Sequence, residues 1–155
     1  GMNAGKTVHQ LMREIILPEH LQIGQFHGRV SWAVRALWEE HSGWFPYDST
    51  TSLYGVPRSS VDADLVELAG GAAALARRAA ARLAEGKPLE AMHLLDVALG
   101  AEANNMDVLR VKKDALGALL SQSGGGNLSE TMWLKSEIAG VEAKLTPDRT
   151  RASDK

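Results

Sequence analysis

The chain contains no cysteine, which excludes disulfides and thiolate metal sites and sets a cytoplasmic location as the expectation. It has no excess of positive charge. A formal net charge of −2 gives no basic field to attract nucleic acid or anionic lipid. No apolar run approaches the roughly 20 residues of a membrane span, so no membrane and no nucleic acid are expected as partners. The N-terminus lacks a charged-then-apolar leader pattern, and Gly1 ahead of Met2 reads as a cloning remnant. Aromatic residues are scarce, at 5% of the chain. Most of those present crowd into one segment, with Phe26, Trp32, Trp38, Trp44, Phe45, Tyr47 and Tyr54 close together.

What the chain does have is helical signal. Its 155 residues, 45% hydrophobic and 23% charged, suit one globular domain with a core of its own. Thr7 with Gln10 forms a capping-box pattern, opening a short helix that ends before Pro18. A second helix is expected from about Arg29 to Ser42, with Val30, Val34, Leu37, Trp38 and His41 on one face and Gly43 as its C-cap. The segment from Trp44 to Pro57 reads as a long ordered loop whose aromatics pack.

Ser59 or Ser60 can cap the next helix, whose apolar face is Val61, Leu65 and Leu68. The alanine-rich stretch from Ala72 to Glu85 favours a helix with Leu75, Ala79 and Leu83 inward. Pro88 suits the first turn of another, which buries Leu89, Met92, Leu95 and Leu99 and closes at Gly100. Asn105 caps a helix to about Leu120. After Gly124-Gly125-Gly126, Asn127 and Glu130 restart the chain, and Leu134, Ile138, Val141 and Leu145 form a stripe. No segment alternates in a strand-like way.

The expected fold is all-α: antiparallel helical hairpins in a tetratricopeptide-like, right-handed array of about six helices over residues 7–145. Residues 1–6 and 146–155 are expected to be flexible termini. Small Ala79 and Ala91 let two helix backbones approach closely. The tetratricopeptide spacing is confined to one unit, without the aromatic landmarks or the closing proline, and Ala103 stands at the proline position.

Catalytic patterns are missing. His9, His20, His27, His41 and His93 are too far apart to form a two-histidine metal helix or a His-x-His loop. Glu39, Glu40 and His41 offer ligand atoms, but a solvated helix end capped by His41 accounts for them better. No phosphate loop, nucleophile elbow or dinucleotide fingerprint occurs, and the triple glycine reads as a connector. Arg77, Arg78 and Arg82 read as a solvated face carrying ion pairs. No catalytic residue, metal ligand or cofactor is therefore assigned, and the chain is not expected to be an enzyme by itself.

The tryptophans are the strongest functional lead. Trp32 and Trp38 are six apart on one helix and point about 120° from each other, so one narrow stripe cannot hold both. Full burial of one indole is worth roughly 4–6 kcal/mol before costs. The helix is thus covered on more than one side, either by its own loop or by a second chain.

At these residues the chain resembles the dimerisation domain of alkylsulfatases whose catalytic domain is of the metallo-β-lactamase type. The resemblance rests on Phe26-His27-Gly28-Arg29-Val30-Ser31-Trp32-Ala33-Val34-Arg35-Ala36-Leu37-Trp38 and then Gly43-Trp44-Phe45. It continues through Leu68-Ala69-Gly70-Gly71, Glu85-Gly86 and Glu90-Ala91-Met92-His93-Leu94-Leu95, and spans roughly Thr7 to Leu145. Family members commonly have His-Asn where this chain has Trp32-Ala33, and often an Asp-Pro turn near Ala101-Glu102-Ala103.

The resemblance implies a helical domain that intertwines with its twin. In such enzymes a separate domain holds two zinc ions on a His-x-His-x-Asp-His loop, a motif that does not occur here, and a sterol-carrier-like domain often follows. The expected partner is a second copy of the chain, with a metallo-β-lactamase-type catalytic domain as a further one. The interface candidates are Phe26, Val30, Trp32, Leu37, Trp38, Trp44, Phe45 and Tyr47. The alternatives are a tetratricopeptide-like adaptor for a peptide or partner protein, and a small stand-alone metal hydrolase.

Overall fold

The computed structural model describes residues 1–45 and 49–146; Tyr47 and the charged tail from Pro147 lie outside them. Among the described residues every regular element is helical and there is no strand. Seven α-helices are present among the described residues, against the array of about six expected, and each of the seven stands where a helix was expected. By internal packing the chain divides into two units, Gly1–Val56 with Gly125–Glu130, and Pro57–Gly124 with Thr131–Lys155.

In the first unit Thr7 opens α1 (Val8–Glu14) with both halves of the capping box. Gln10 N donates to Thr7 Oγ1 at 3.2 Å, and Thr7 N donates to Gln10 Oε1 at 2.8 Å. Helix α2 (Val30–Ser42) packs on α1. It ends at Gly43, whose φ of 72° is a conformation that side chains disfavour. The connection after it holds a 3-10 turn at Thr50–Leu53, capped by Ser49.

The second unit contains the continuous core. A 3-10 turn, Arg58–Val61, leads into α3 (Asp62–Leu68), followed by α4 (Ala72–Ala84), α5 (Pro88–Ala101) and α6 (Met106–Gln122). Helix α7 (Leu128–Leu145) begins in the first unit and runs into this one. A three-residue connection folds α4 and α5 into a hairpin. Ala72, Ala76 and Ala79 of α4 meet Ala91, Leu95 and Ala98 of α5, with Val66 of α3 and Val108 and Ala115 of α6 completing the cluster. Ala79 and Ala91 are fully buried, so their small size sets the helix separation as anticipated. Leu109 and Leu116 of α6 pack with Leu134 and Val141 of α7, which places the expected α7 stripe inward.

Three expectations about burial change. Helix α3 buries Asp62 and Val66 and leaves Val61, Leu65 and Leu68 exposed. One residue is about 100° on a helix, so a modest rotation moves the whole stripe. The rotation follows from Asp62, whose carboxylate lies against Gly100: a Cβ on that glycine would sit 2.0 Å from Asp62 Oδ2. Gly100 therefore lies inside α5 as a point of close approach and does not close the helix. On α5 the buried positions are Pro88, Ala91, Leu95 and Ala98, and Leu89 is exposed, because alanines make the tight contact with α4. The third change is in the first unit, where Trp44 and Tyr54 are exposed and not packed into an aromatic core.

Candidate functional site

The first unit is short of a core. Its buried apolar side chains among the described residues are Leu11 on α1 and Val34 on α2. Both line the hollow between the packed helices α1 and α2. Around them Ile16, Leu21, Ile23, Phe26, Trp32, Leu37 and Trp44 are exposed, among them Ile23 at 81% and Trp44 at 79%. An exposed leucine alone is ordinary, but seven large apolar side chains exposed in a unit with so small a core are more than scattered surface residues usually amount to.

The predicted site residues are distributed over this unit. Phe26, Trp32, Leu37 and Trp44 are exposed, while Val30, Trp38 and Phe45 are half-buried. Phe45 and Trp44 place their rings 5.7 Å apart, tilted by 43°, within the range of favourable aromatic pairs. Tyr47 lies outside the described residues. An open groove of 620 Å³ runs past Met12, Ile15, Ile16, Ile23, Phe26 and Val30. A smaller hollow of 230 Å³, lined by Leu11, Ile15, Val34, Leu37 and Trp38, lies between α1 and α2.

The loop ahead of α2 is held rigidly. Asn127, only 3% exposed, donates from Nδ2 to the carbonyls of Gln25 (2.7 Å) and Gly28 (2.9 Å), while its Oδ1 accepts from Glu130 N. One side chain thus caps α7 and satisfies two loop carbonyls. Leu128 N donates to Phe26 O, Ser129 Oγ to His27 O, and Arg29 forms an ion pair with Glu130. Gln25 Oε1 in turn accepts from Val30 N at the start of α2. These bonds fix the backbone on which the exposed Phe26 is mounted.

Apolar side chains missed by the sequence reading stand on α7, where Leu128, Met132 and Trp133 are exposed, the last at 67%. The available signal was an excess of apolar residues off the Leu134–Leu145 stripe, more than a helix covered on one face requires. Ile16 and Ile23 were missed because they lie outside any periodic segment.

Chemistry is not concentrated anywhere. Among the described residues no three of His, Asp and Glu gather in a way that could hold a metal ion. His41 Nδ1 lies 2.9 Å from Leu37 O, and Glu39 accepts from Arg35 Nε at 2.9 Å, so both side chains are engaged within α2. Arg82 is paired with Glu85, as a solvated face requires. The Glu85 carboxyl is held below its ordinary range by hydrogen bonds from Lys87 and then Arg82. Lys113 is raised by its hydrogen bond to Glu142. No helix among the described residues is long and apolar enough to cross a membrane.

Comparison with known proteins adds one family and one fold. A sequence model described as alkyl sulfatase dimerisation matches residues 7–135. No curated protein matches the chain. Several solved structures are similar, two of them as follows. The stereoselective inverting sec-alkylsulfatase Pisa1 from Pseudomonas sp. aligns over 97% of this chain and 24% of its own length, with TM-score 0.78 and 24% identity. A double mutant of the sec-alkyl sulfatase PisA1 aligns over 95% of this chain and 23% of its own, with TM-score 0.75 and 24% identity. At that identity the likeness is one of fold, and the chain spans about a quarter of the length of these structures.

Proposed function

The chain belongs to the alkyl sulfatase dimerisation family, and from that premise we propose that it acts by pairing with a second copy of itself through the aromatic face of its first unit. One observation carries the reading: Leu11 and Val34 are the buried apolar side chains of a unit that leaves Phe26, Trp32, Leu37 and Trp44 exposed. A two-fold pairing covers the same patch on both copies at once. Val30, Trp38 and Phe45, which are half-buried, belong to the same candidate interface. Light scattering coupled to size-exclusion chromatography at micromolar concentration tests it. A mass of two chains is expected, and a monomer at every concentration would overturn the reading.

In this proposal the chain contributes assembly and no chemical step. Its histidines are dispersed and it contains no His-x-His-x-Asp-His run. The zinc-dependent hydrolysis of a sulfate ester would belong to a metallo-β-lactamase-type catalytic domain, which the paired helical module would hold in a fixed arrangement. The structural neighbours are sec-alkylsulfatases, and the proposal places such an activity in the partner catalytic domain and not in this chain. Co-purification of a separately expressed catalytic domain with the dimer tests that arm.

A further inference from the structure

We infer that the first unit folds only as it pairs, so that a lone chain keeps the second unit folded and loses α1 and α2. The inference rests on the pairing proposed above and adds to it the state of the unpaired molecule.

Burial differs sharply between the units. In the second, a continuous cluster joins Val66, Ala72, Ala76, Ala79, Ala91, Leu95, Ala98, Val108 and Ala115, and a further one joins α6 to α7. In the first, the buried apolar residues among those described are Leu11 and Val34. Helix α1 has seven residues and α2 has thirteen, and isolated helices shorter than about 12–15 residues are marginal in water. Two buried side chains do not offset the entropy of ordering two such helices and their long connections. The local ion pairs do not change this: Lys6–Glu14 and Arg35–Glu39 are solvent-exposed, where such pairs contribute little.

The missing core matches a second copy in size. Ile16, Leu21, Ile23, Phe26, Trp32, Leu37 and Trp44 are 40–81% exposed. At about 150–250 Å² for a large side chain they present roughly 670–1,120 Å², a range that includes the roughly 800 Å² one partner gives to a standard interface. The bonds from Asn127 and Ser129 to the backbone of Gln25, His27 and Gly28 have a defined part in this. They anchor one point of the segment, so that the remainder needs only the partner's surface to become ordered.

Hydrogen–deuterium exchange of the full chain, read by mass spectrometry alongside light scattering, decides the matter. The chain is diluted through its dimer–monomer transition, and the double variant Phe26→Ala/Trp44→Ala gives a monomer where dilution cannot reach one. Amides of α1 and α2 are expected to exchange at least about tenfold faster in the monomer, while those of α4, α5 and α6 keep their protection. A monomer whose α1 and α2 stay as protected as in the dimer would overturn coupled folding and leave pairing intact. Simultaneous loss of protection in both units would also overturn it. An unaltered chain that is monomeric at every concentration removes the pairing itself.

Discussion

Asn127 and Gly28 are joined by a 2.9 Å hydrogen bond between side-chain amide and backbone carbonyl, across 99 positions of the chain. The same amide nitrogen also reaches Gln25 O, and the amide oxygen caps α7 at Glu130 N. Replacing Asn127 with alanine removes the cap and strands two carbonyls, so a loss of about 2–4 kcal/mol in urea unfolding is expected. Asn127→Asp keeps a good cap but turns an oxygen toward both carbonyls. It should therefore be no better than alanine, and full stability of the aspartate variant would refute the geometry.

Gly100 offers a test whose sign is opposite to helix propensity. Exchanging glycine for alanine within an exposed helix normally stabilises by up to about 1 kcal/mol. Here the added Cβ would meet Asp62 Oδ2 at 2.0 Å, and Gly100→Ala should cost about 1–3 kcal/mol. Combining it with Asp62→Ala should recover most of that loss. A double-mutant cycle without coupling would show that the two residues do not constrain each other.

Trp44→Ala tests the interface directly. The side chain is 79% exposed in the protomer, so truncation removes little that a single chain buries. A central indole in an interface commonly contributes 2 kcal/mol or more, so dimer dissociation should strengthen by roughly 30-fold or more. Sedimentation equilibrium of the variant measures it. Leu37→Asp should act more strongly still, because it places a charge in the covered face.

Acid should act on the turn between α4 and α5. The folded-state pKa of Glu85 is lowered, chiefly by Lys87 and then Arg82. Its stabilising effect is therefore present above the unfolded-state pKa and disappears as pH falls through the folded one. A carboxyl carbon NMR titration should place its midpoint below the ordinary 4.5. Glu85→Gln should flatten the pH dependence of stability in that range, and an unchanged profile would contradict the pairing. Lys113 has the reverse sign: its pKa is raised by Glu142, so its contribution is lost only as pH rises through the folded value.

Much of the secondary structure was legible because its determinants act within a turn or so of chain. Thr7 with Gln10, Asn105 with its two amide donors, and Gly43 with its positive φ each settle a helix end by contacts with near neighbours. Pro88 occupies the first position of α5 for the same kind of reason. The α7 stripe was readable because its four members recur at helical spacing and meet one surface. Leu68 and Leu89 were misjudged. Periodicity gives a face to within about one residue, and Asp62 against Gly100 and alanine against alanine chose the neighbouring rotation.

The sequence by itself therefore determined an all-helical chain, the positions of its caps and breaks, and the clustering of its aromatics in one short segment. Tertiary structure alone decided that Phe26, Trp32, Trp44 and Tyr54 of this segment are left exposed, that Asn127 binds a loop far away in the chain, and which faces of α3 and α5 turn inward. Caps and helical period are fixed by groups a few residues apart. Burial and long-range hydrogen bonds depend on which surfaces meet, and that is a property of the packed molecule.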